Sequence, residues 1–237
     1  MAASMMAHAH AKADADAAYR QADYQKAVAL YQQALKDGAS AETYYNMGNA
    51  YYRMGNYPQA MLAYQKAKKI SPANVDIQHN IEITLRKTID RMPIDDDVFF
   101  VVWYKALINT LSIDAWACVA RASLILSLIL FLCYLFLSNM AIVRISFYSS
   151  VALFAVFALA NIFAWHQHHI MNSHSSAIVI SEVASVKSAP AAKTADAFVL
   201  HEGTYVTITD SDIQGWRGIK LADGREGWIP SSKLAEI

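Results

Sequence analysis

Trp116–Leu137 reads WACVARASLILSLILFLCYLFL, and Ile145–Trp165 reads ISFYSSVALFAVFALANIFAW. The first run carries one charge, Arg121, and the second carries none. At ~1.5 Å per residue, each helix reaches about 30 Å, the thickness of a bilayer's hydrocarbon core. The spacing therefore predicts a transmembrane hairpin over residues 115–165, turned by Ser138–Arg144. An even number of spans leaves both flanks on one side of the membrane. Arg121 either snorkels to the near interface or pairs inside a bundle. Ser146, Ser149, Ser150 and Asn161 read as helix–helix or backbone hydrogen bonds rather than a conduction path. The two cysteines, Cys118 and Cys133, fall near opposite ends of one predicted helix. Their separation along it is about 22 Å, too far for a disulfide.

Whole-chain averages (237 residues, formal net charge zero) blend unlike parts. Neutrality argues against a nucleic-acid partner, because no basic face is visible to neutralise phosphates. The start, MAASMMAHAHA (residues 1–11), ends in overlapping Ala-x-Ala triplets, the small-residue pattern of a signal-peptidase site. It is expected to be the remnant of a signal peptide whose start lies upstream; the alternative is an ordinary Ala-rich helix start.

Residues 12–92 carry a period. Tyr24, Ala27, Tyr31 and Ala34 recur at one constant offset as Tyr57, Ala60, Tyr64 and Ala67, and Asn46 recurs as Asn80 at an interval one residue longer. Ala41–Asn74 holds Tyr44, Met47, Gly48, Tyr51, Gly55, Tyr57, Ala60, Tyr64, Ala67 and Pro72. A period near 34 with small residues where helices meet and aromatics between them resembles the tetratricopeptide repeat. The preceding copy has Ala15 and Ala22 where glycines are usual, and Asp37-Gly38 ends its second helix. The copy after it keeps one helix, Val75 to about Ile89, read as a cap stopped by Pro93. The resemblance implies a groove for extended peptides, lined by Tyr45, Asn46, Asn49, Tyr52, Arg53, His79, Asn80 and Arg86. An Asn amide suits a peptide backbone because it donates and accepts. The alternative is that Asn46 and Asn80 only tie neighbouring helices together.

Residues 93–114 read as an interfacial helix, with Asp95–Asp97 at its N-terminus and Phe99, Phe100, Trp103 and Tyr104 at headgroup level. Residues 166–175 read as a linker containing His166, His168, His169 and His174, without a neighbouring cysteine or carboxylate to complete a metal site. Residues 176–237 alternate apolar and polar positions in short strands, with a turn at Ala222-Asp223-Gly224. Leu200–Val206, Gly215-Trp216 and Asp223–Pro230 resemble a bacterial SH3-type domain. Trp216 and Trp228 are its expected ligand face, with burial in the core as the alternative.

The expected fold class is multi-domain: an all-α tetratricopeptide solenoid, two transmembrane helices and a small all-β SH3-like barrel. That order, with the link LSIDAW (Leu111–Trp116), resembles the BatE family of the bacterial aerotolerance (Bat) operon. The resemblance implies an inner-membrane protein with both soluble parts periplasmic. Its partners would be von Willebrand-type domain proteins, themselves linked to a MoxR-type ATPase. No nucleophile, acid/base pair, phosphate loop or metal-spaced cysteines are visible, so neither catalysis nor a cofactor is expected. The alternative function is a cell-envelope binder whose SH3-type domain holds peptidoglycan while the repeats recruit a wall enzyme.

Overall fold

The computed structural model describes residues 2–90, 99–172 and 176–237. They form two compact units: one combines the segments before and after the apolar hairpin, the other is the hairpin with the short helix before it.

The first unit begins with five helices, α1 (Ala2–Arg20), α2 (Tyr24–Asp37), α3 (Ala41–Arg53), α4 (Tyr57–Ile70) and α5 (Val75–Leu85). The domain boundary expected at residue 11 falls inside α1. Local chemistry sets the later starts. Asp23, Ser40, Asn56 and Asn74 each precede a helix, and their side chains accept otherwise orphaned N–H groups of its first turn. The turn after α3 places Gly55 at φ +77, in the left-handed region. Ala22 holds the equivalent position after α1 at φ 60, so the first copy makes the same turn at some cost in strain. Tyr31 and Tyr64, each 1% exposed, fill the spaces between helices. Gly48 is needed for close approach: a Cβ there would lie 2.6 Å from the Tyr64 ring.

The same unit ends in a seven-stranded antiparallel sheet of order β3-β2-β6-β5-β4-β1-β7. The strands are β1 (Ser176–Val179), β2 (Val183–Lys187), β3 (Asp196–His201), β4 (Tyr205–Ile213), β5 (Trp216–Lys220), β6 (Glu226–Pro230) and β7 (Leu234–Glu236). The sheet curls around one core that draws on β1 to β6, including Val179, Val186, Leu200, Val206, Ile219 and Ile229. Gln214 and Gly215, both at positive φ, make the β4–β5 hairpin turn, and Gly224 at φ +88 makes the expected β5–β6 turn.

Strand β1 departs from alternation. Ala177, Ile178 and Val179 are all fully buried, and Ile178 stands apart from the sheet's core. Its outer face is covered by α4, which packs on β1. A strand buried on both faces reads as a continuous apolar run, as Ala177-Ile178-Val179 does. Polar contacts complete this joint. The Asp90 carboxylate accepts from the His201 backbone N–H at 2.6 Å and the Thr204 hydroxyl at 2.7 Å, and lies 3.0 Å from His201 Nδ1. Burial pushes the Asp90 carboxyl up, but these partners outweigh it and hold the group below the ordinary carboxylate range. Lys69 Nζ donates to the Ile237 carbonyl oxygen at 2.8 Å.

The second unit contains α6 (Phe99–Ile108), α7 (Ile113–Phe136) and α8 (Met140–Asn172). Helices α7 and α8 are long and apolar enough to cross a membrane, and only 17% and 11% of their most apolar stretches are buried. Their contact face is small and polar. Ala120, Ser123, Ser127, Ser146, Ser150 and Ala160 are buried, while Leu, Ile and Phe side chains point outward. Ser127 and Ser150 each donate to the other's backbone carbonyl, at 2.9 and 3.0 Å. Small residues at the contact let the two helix backbones approach closely. Asn161 instead bonds its own helix at Phe157 O.

Two expectations need correction here. The turn is shorter than Ser138–Arg144, because Asn139 accepts from Ala141 and Ile142 and α8 starts at Met140. Helix α8 also runs past the expected end of the span, so His166, His168 and His169 are helical rather than part of a linker. Gln167 gives that extension a purpose: its Nε2 donates to Ile108 O and Leu111 O, clasping the α6–α7 corner. Trp116 Nε1 donates to the same Ile108 carbonyl at 2.8 Å. Trp103 is exposed, whereas Tyr104 packs edge-on against Phe163 and His166. Pro93, Asp95–Asp97 and His174 lie outside the described residues.

Candidate functional site

Helices α1, α3 and α5 stand side by side, linked by two hydrogen-bonded triads of one design. In the first, Tyr31 OH and the Asn46 amide both donate to Asp16 Oδ1, at 2.6 and 3.1 Å. In the second, Tyr64 OH and the Asn80 amide both donate to Asn49 Oδ1, at 2.7 and 2.8 Å. Each triad joins the two helices of one repeat to the first helix of the next. Asn46 and Asn80 thus each spend one amide N–H on a neighbouring helix.

Asp16 carries further partners. Lys12 reaches its other oxygen at 2.9 Å and Glu42 at 2.8 Å. Burial pushes the Asp16 carboxyl up, yet the bonds from Tyr31 and Lys12 outweigh it and leave the group below its ordinary value. Burial and the adjacent Asp16 carboxylate push the Tyr31 phenol well above its usual range, and burial does the same to Tyr64.

A hollow of about 190 Å³ opens between α1 and α3, lined by Asp16, Tyr19, Arg20, Tyr31, Asn46 and Asn49. It brings together Asn46 and Asn49 from the expected set and adds Asp16, Tyr19 and Arg20, which that reading missed. The signal is present in the chain: Tyr19-Arg20 stands one repeat period before Tyr52-Arg53, and Asp16 stands the same interval before Asn49. The other expected residues lie beyond the hollow. Tyr45 packs on Tyr64 with ring centroids 6.0 Å apart, and Tyr52 on Tyr57 at 5.4 Å. Arg53 is exposed beside Tyr19, whose phenol holds its guanidinium above the ordinary value. His79 and Arg86 are exposed on and just after α5.

On the sheet, register decides the faces. Trp228 pairs with Gly218 and with Lys187, whereas the core residues Ile219 and Ile229 pair with Gly227 and Arg217. Trp216 is two residues from Gly218, so both tryptophans stand on the outer face as diagonal neighbours. Each is half-buried, and neither belongs to the core. Gly218 lies between them, covered by Asp210: a Cβ at 218 would come within 2.8 Å of its Oδ2. Among the described residues, no three His, Cys, Asp or Glu side chains are placed to share a metal ion.

Two family models match the chain. Residues 41–74 match the tetratricopeptide repeat, and residues 178–237 match the variant SH3 domain. No curated protein matches it. The fold is thus a tetratricopeptide-containing helical region, two long apolar helices and a C-terminal antiparallel sheet domain of SH3 type. Both matched domains are of types that typically serve interaction rather than catalysis, so the chain is similar to protein-interaction modules.

Proposed function

We propose that this protein is a non-enzymatic, membrane-anchored scaffold of a Bat-type envelope complex that grips partner peptides in its repeat groove. One observation carries the reading: the repeat groove and the SH3-type sheet are assembled as one unit from both flanks of the hairpin. That assembly requires the hairpin to return the chain to the side from which it left. The Ala-x-Ala triplets near the start favour the periplasmic side of an inner membrane. The partners in this reading are von Willebrand-type membrane proteins of the same operon, acting with a MoxR-type ATPase, and the contact residues are Tyr45, Asn46, Asn49, Tyr52, Arg53, His79, Asn80 and Arg86. Crosslinked affinity capture from native membranes tests it, comparing wild type with a Tyr52→Ala, His79→Ala double variant. Loss of a specific membrane partner, with helical content unchanged, supports the groove; an unchanged partner set refutes it.

The outer-face placement of Trp216 and Trp228 favours a second reading, a cell-envelope binder whose SH3-type domain holds peptidoglycan. Aromatic faces suit sugar and peptide stems because they offer apolar area at low entropy cost. Sedimentation of the detergent-solubilised full chain with purified cell wall, lost in Trp216→Ala or Trp228→Ala, is its expected result; no co-sedimentation of the wild type removes it.

A further inference from the structure

Arg20, Arg53 and Arg86 recur at one constant interval, the repeat period. They close the three groove helices: Arg20 and Arg53 are the last residues of α1 and α3, and Arg86 is the C-cap of α5. The local geometry recurs at the first two. Tyr19 stacks edge-on with Tyr24 at 5.4 Å and 61°, and Tyr52 with Tyr57 at 5.4 Å and 64°, around matching positive-φ turns. Arg20 and Arg53 therefore occupy equivalent places on the rim, and the Tyr19 phenol on α1 reaches across to Arg53 on α3.

Their pairing sets them apart. All three are exposed, and among the described residues none makes an ion pair with a carboxylate. The arginines of the sheet domain do: Arg217 bonds Glu236 at 2.6 Å and Arg225 bonds Asp223 at 2.7 Å. Lys12 is shared between Asp16 and Glu42, so that cluster keeps one uncompensated negative charge and no cation to spare for a ligand. Three cations at helix C-termini also offset helix dipoles, but any cation serves that purpose, as Lys68 and Lys69 do in the last turn of α4. Dipole compensation requires neither guanidinium forks nor flanking tyrosines.

We infer that Arg20, Arg53 and Arg86 form a ladder on the groove rim that grips an extended acidic peptide. The inference deepens the groove reading above and rests on it. Packed helices lie about 8–10 Å apart and an extended chain advances about 3.3 Å per residue. Each rung therefore meets a carboxylate roughly every third residue of the ligand. A guanidinium fork binds a carboxylate bidentately, which fixes register as well as charge. The hollow beside Arg20, with Asp16, Tyr19, Asn46 and Asn49 on its walls, suits a narrow chain rather than a flat layer of lipid headgroups, and the Asp16 carboxylate there is held by Tyr31, Asn46 and Lys12.

Fluorescence anisotropy tests the ladder, using the full chain in neutral-lipid nanodiscs and a labelled peptide with Glu at every third position among Gly and Ser. Its Gln counterpart is the matched control. The expected result is that the Glu peptide binds at least tenfold tighter than the Gln peptide and weakens with added salt. R20Q/R53Q/R86Q is expected to abolish that preference, and the triple Arg→Lys variant to keep part of it, with helical content unchanged in both. Equal binding of Glu and Gln peptides, still sensitive to Tyr52→Ala, overturns the ladder and leaves the groove standing. A preference that survives R20Q/R53Q/R86Q also overturns the ladder. Binding of neither peptide overturns ladder and groove together. Arginine-dependent binding to phosphatidylglycerol vesicles in place of either peptide assigns the rungs to lipid and overturns the proposal.

Discussion

The two triads that hold the repeat helices together share one geometry and differ in one group. Around Asp16 the acceptor is a carboxylate; around Asn49 it is a neutral amide. A Tyr hydroxyl and an Asn amide donate to a single oxygen in both. The geometry is therefore set by where the repeat places its helices, and the charge is an independent variable. It adds Lys12 and Glu42 to the first triad and makes that triad sensitive to pH. A second contrast accompanies the first. Position 48 must be glycine because the Tyr64 ring fills the space where a Cβ would stand, whereas its counterpart Ala15 fits fully buried.

The comparison breaks most directly at the hubs. Asp16→Ala or Asn49→Ala strands a Tyr hydroxyl and an Asn amide, each costing about 1–3 kcal/mol, or roughly 2–6 kcal/mol per hub. Hydrogen exchange is expected to show faster opening of α1–α3 in the first variant and of α3–α5 in the second. Equal loosening of all five helices in both would mean that the triads are not separate links. Gly48→Ala follows at about 1–3 kcal/mol, the range for an overpacked core. The reverse change, Ala15→Gly, costs about 1 kcal/mol through backbone freedom. A harmless Gly48→Ala would contradict the close approach.

Smaller effects sharpen the distinction of charge. Asp16→Asn rebuilds the first hub in the image of the second and is expected to cost less than about 1 kcal/mol near neutrality. The folded carboxyl titrates below its unfolded value, so its contribution is present above about pH 4 and is lost as pH falls through the folded value. Wild type and Asp16→Asn should therefore converge in stability as denaturation is followed from pH 6 towards pH 3. A constant gap would show that Asp16 acts through geometry alone. At the alkaline end the sign reverses. Tyr31 and Tyr64 titrate above their unfolded values, so their contributions hold below about pH 10 and fade as pH rises beyond it. Lys12→Ala is the smallest change, at about 0.2–0.5 kcal/mol, because its partner Glu42 is exposed.

The legible parts of the fold are those written in local periodicity. The periodic recurrence of Tyr, Ala and Arg marks the helix pairs, and the matched repeat, residues 41–74, begins and ends where that recurrence places it. Long uncharged runs mark the hairpin, and short alternating strands with Gly turns mark the sheet. The candidate site is legible only in part. Asn46 and Asn49 follow from repeat position, but Asp16 and Arg20 are harder to see because the first copy lacks the usual glycines. The end of α8 is hidden in the same way. Its histidine cluster reads as a polar break, while Gln167 continues the helix by bonding the α6–α7 corner.

By itself, then, the sequence determined which segments are amphipathic helix, long apolar helix or strand, because those depend on neighbours three, four or two positions away. The tertiary structure decided which polar groups meet. Asp90 finds His201 across 111 positions, Ile178 is covered by α4 instead of solvent, and both tryptophans of the sheet stand outside its core. Such pairings depend on how distant faces are brought together, and no local pattern of apolar and polar residues encodes that. The same holds for the three rim arginines. Their spacing is written in the chain, but their exposure and their lack of carboxylate partners among the described residues emerge only when the helices stand side by side.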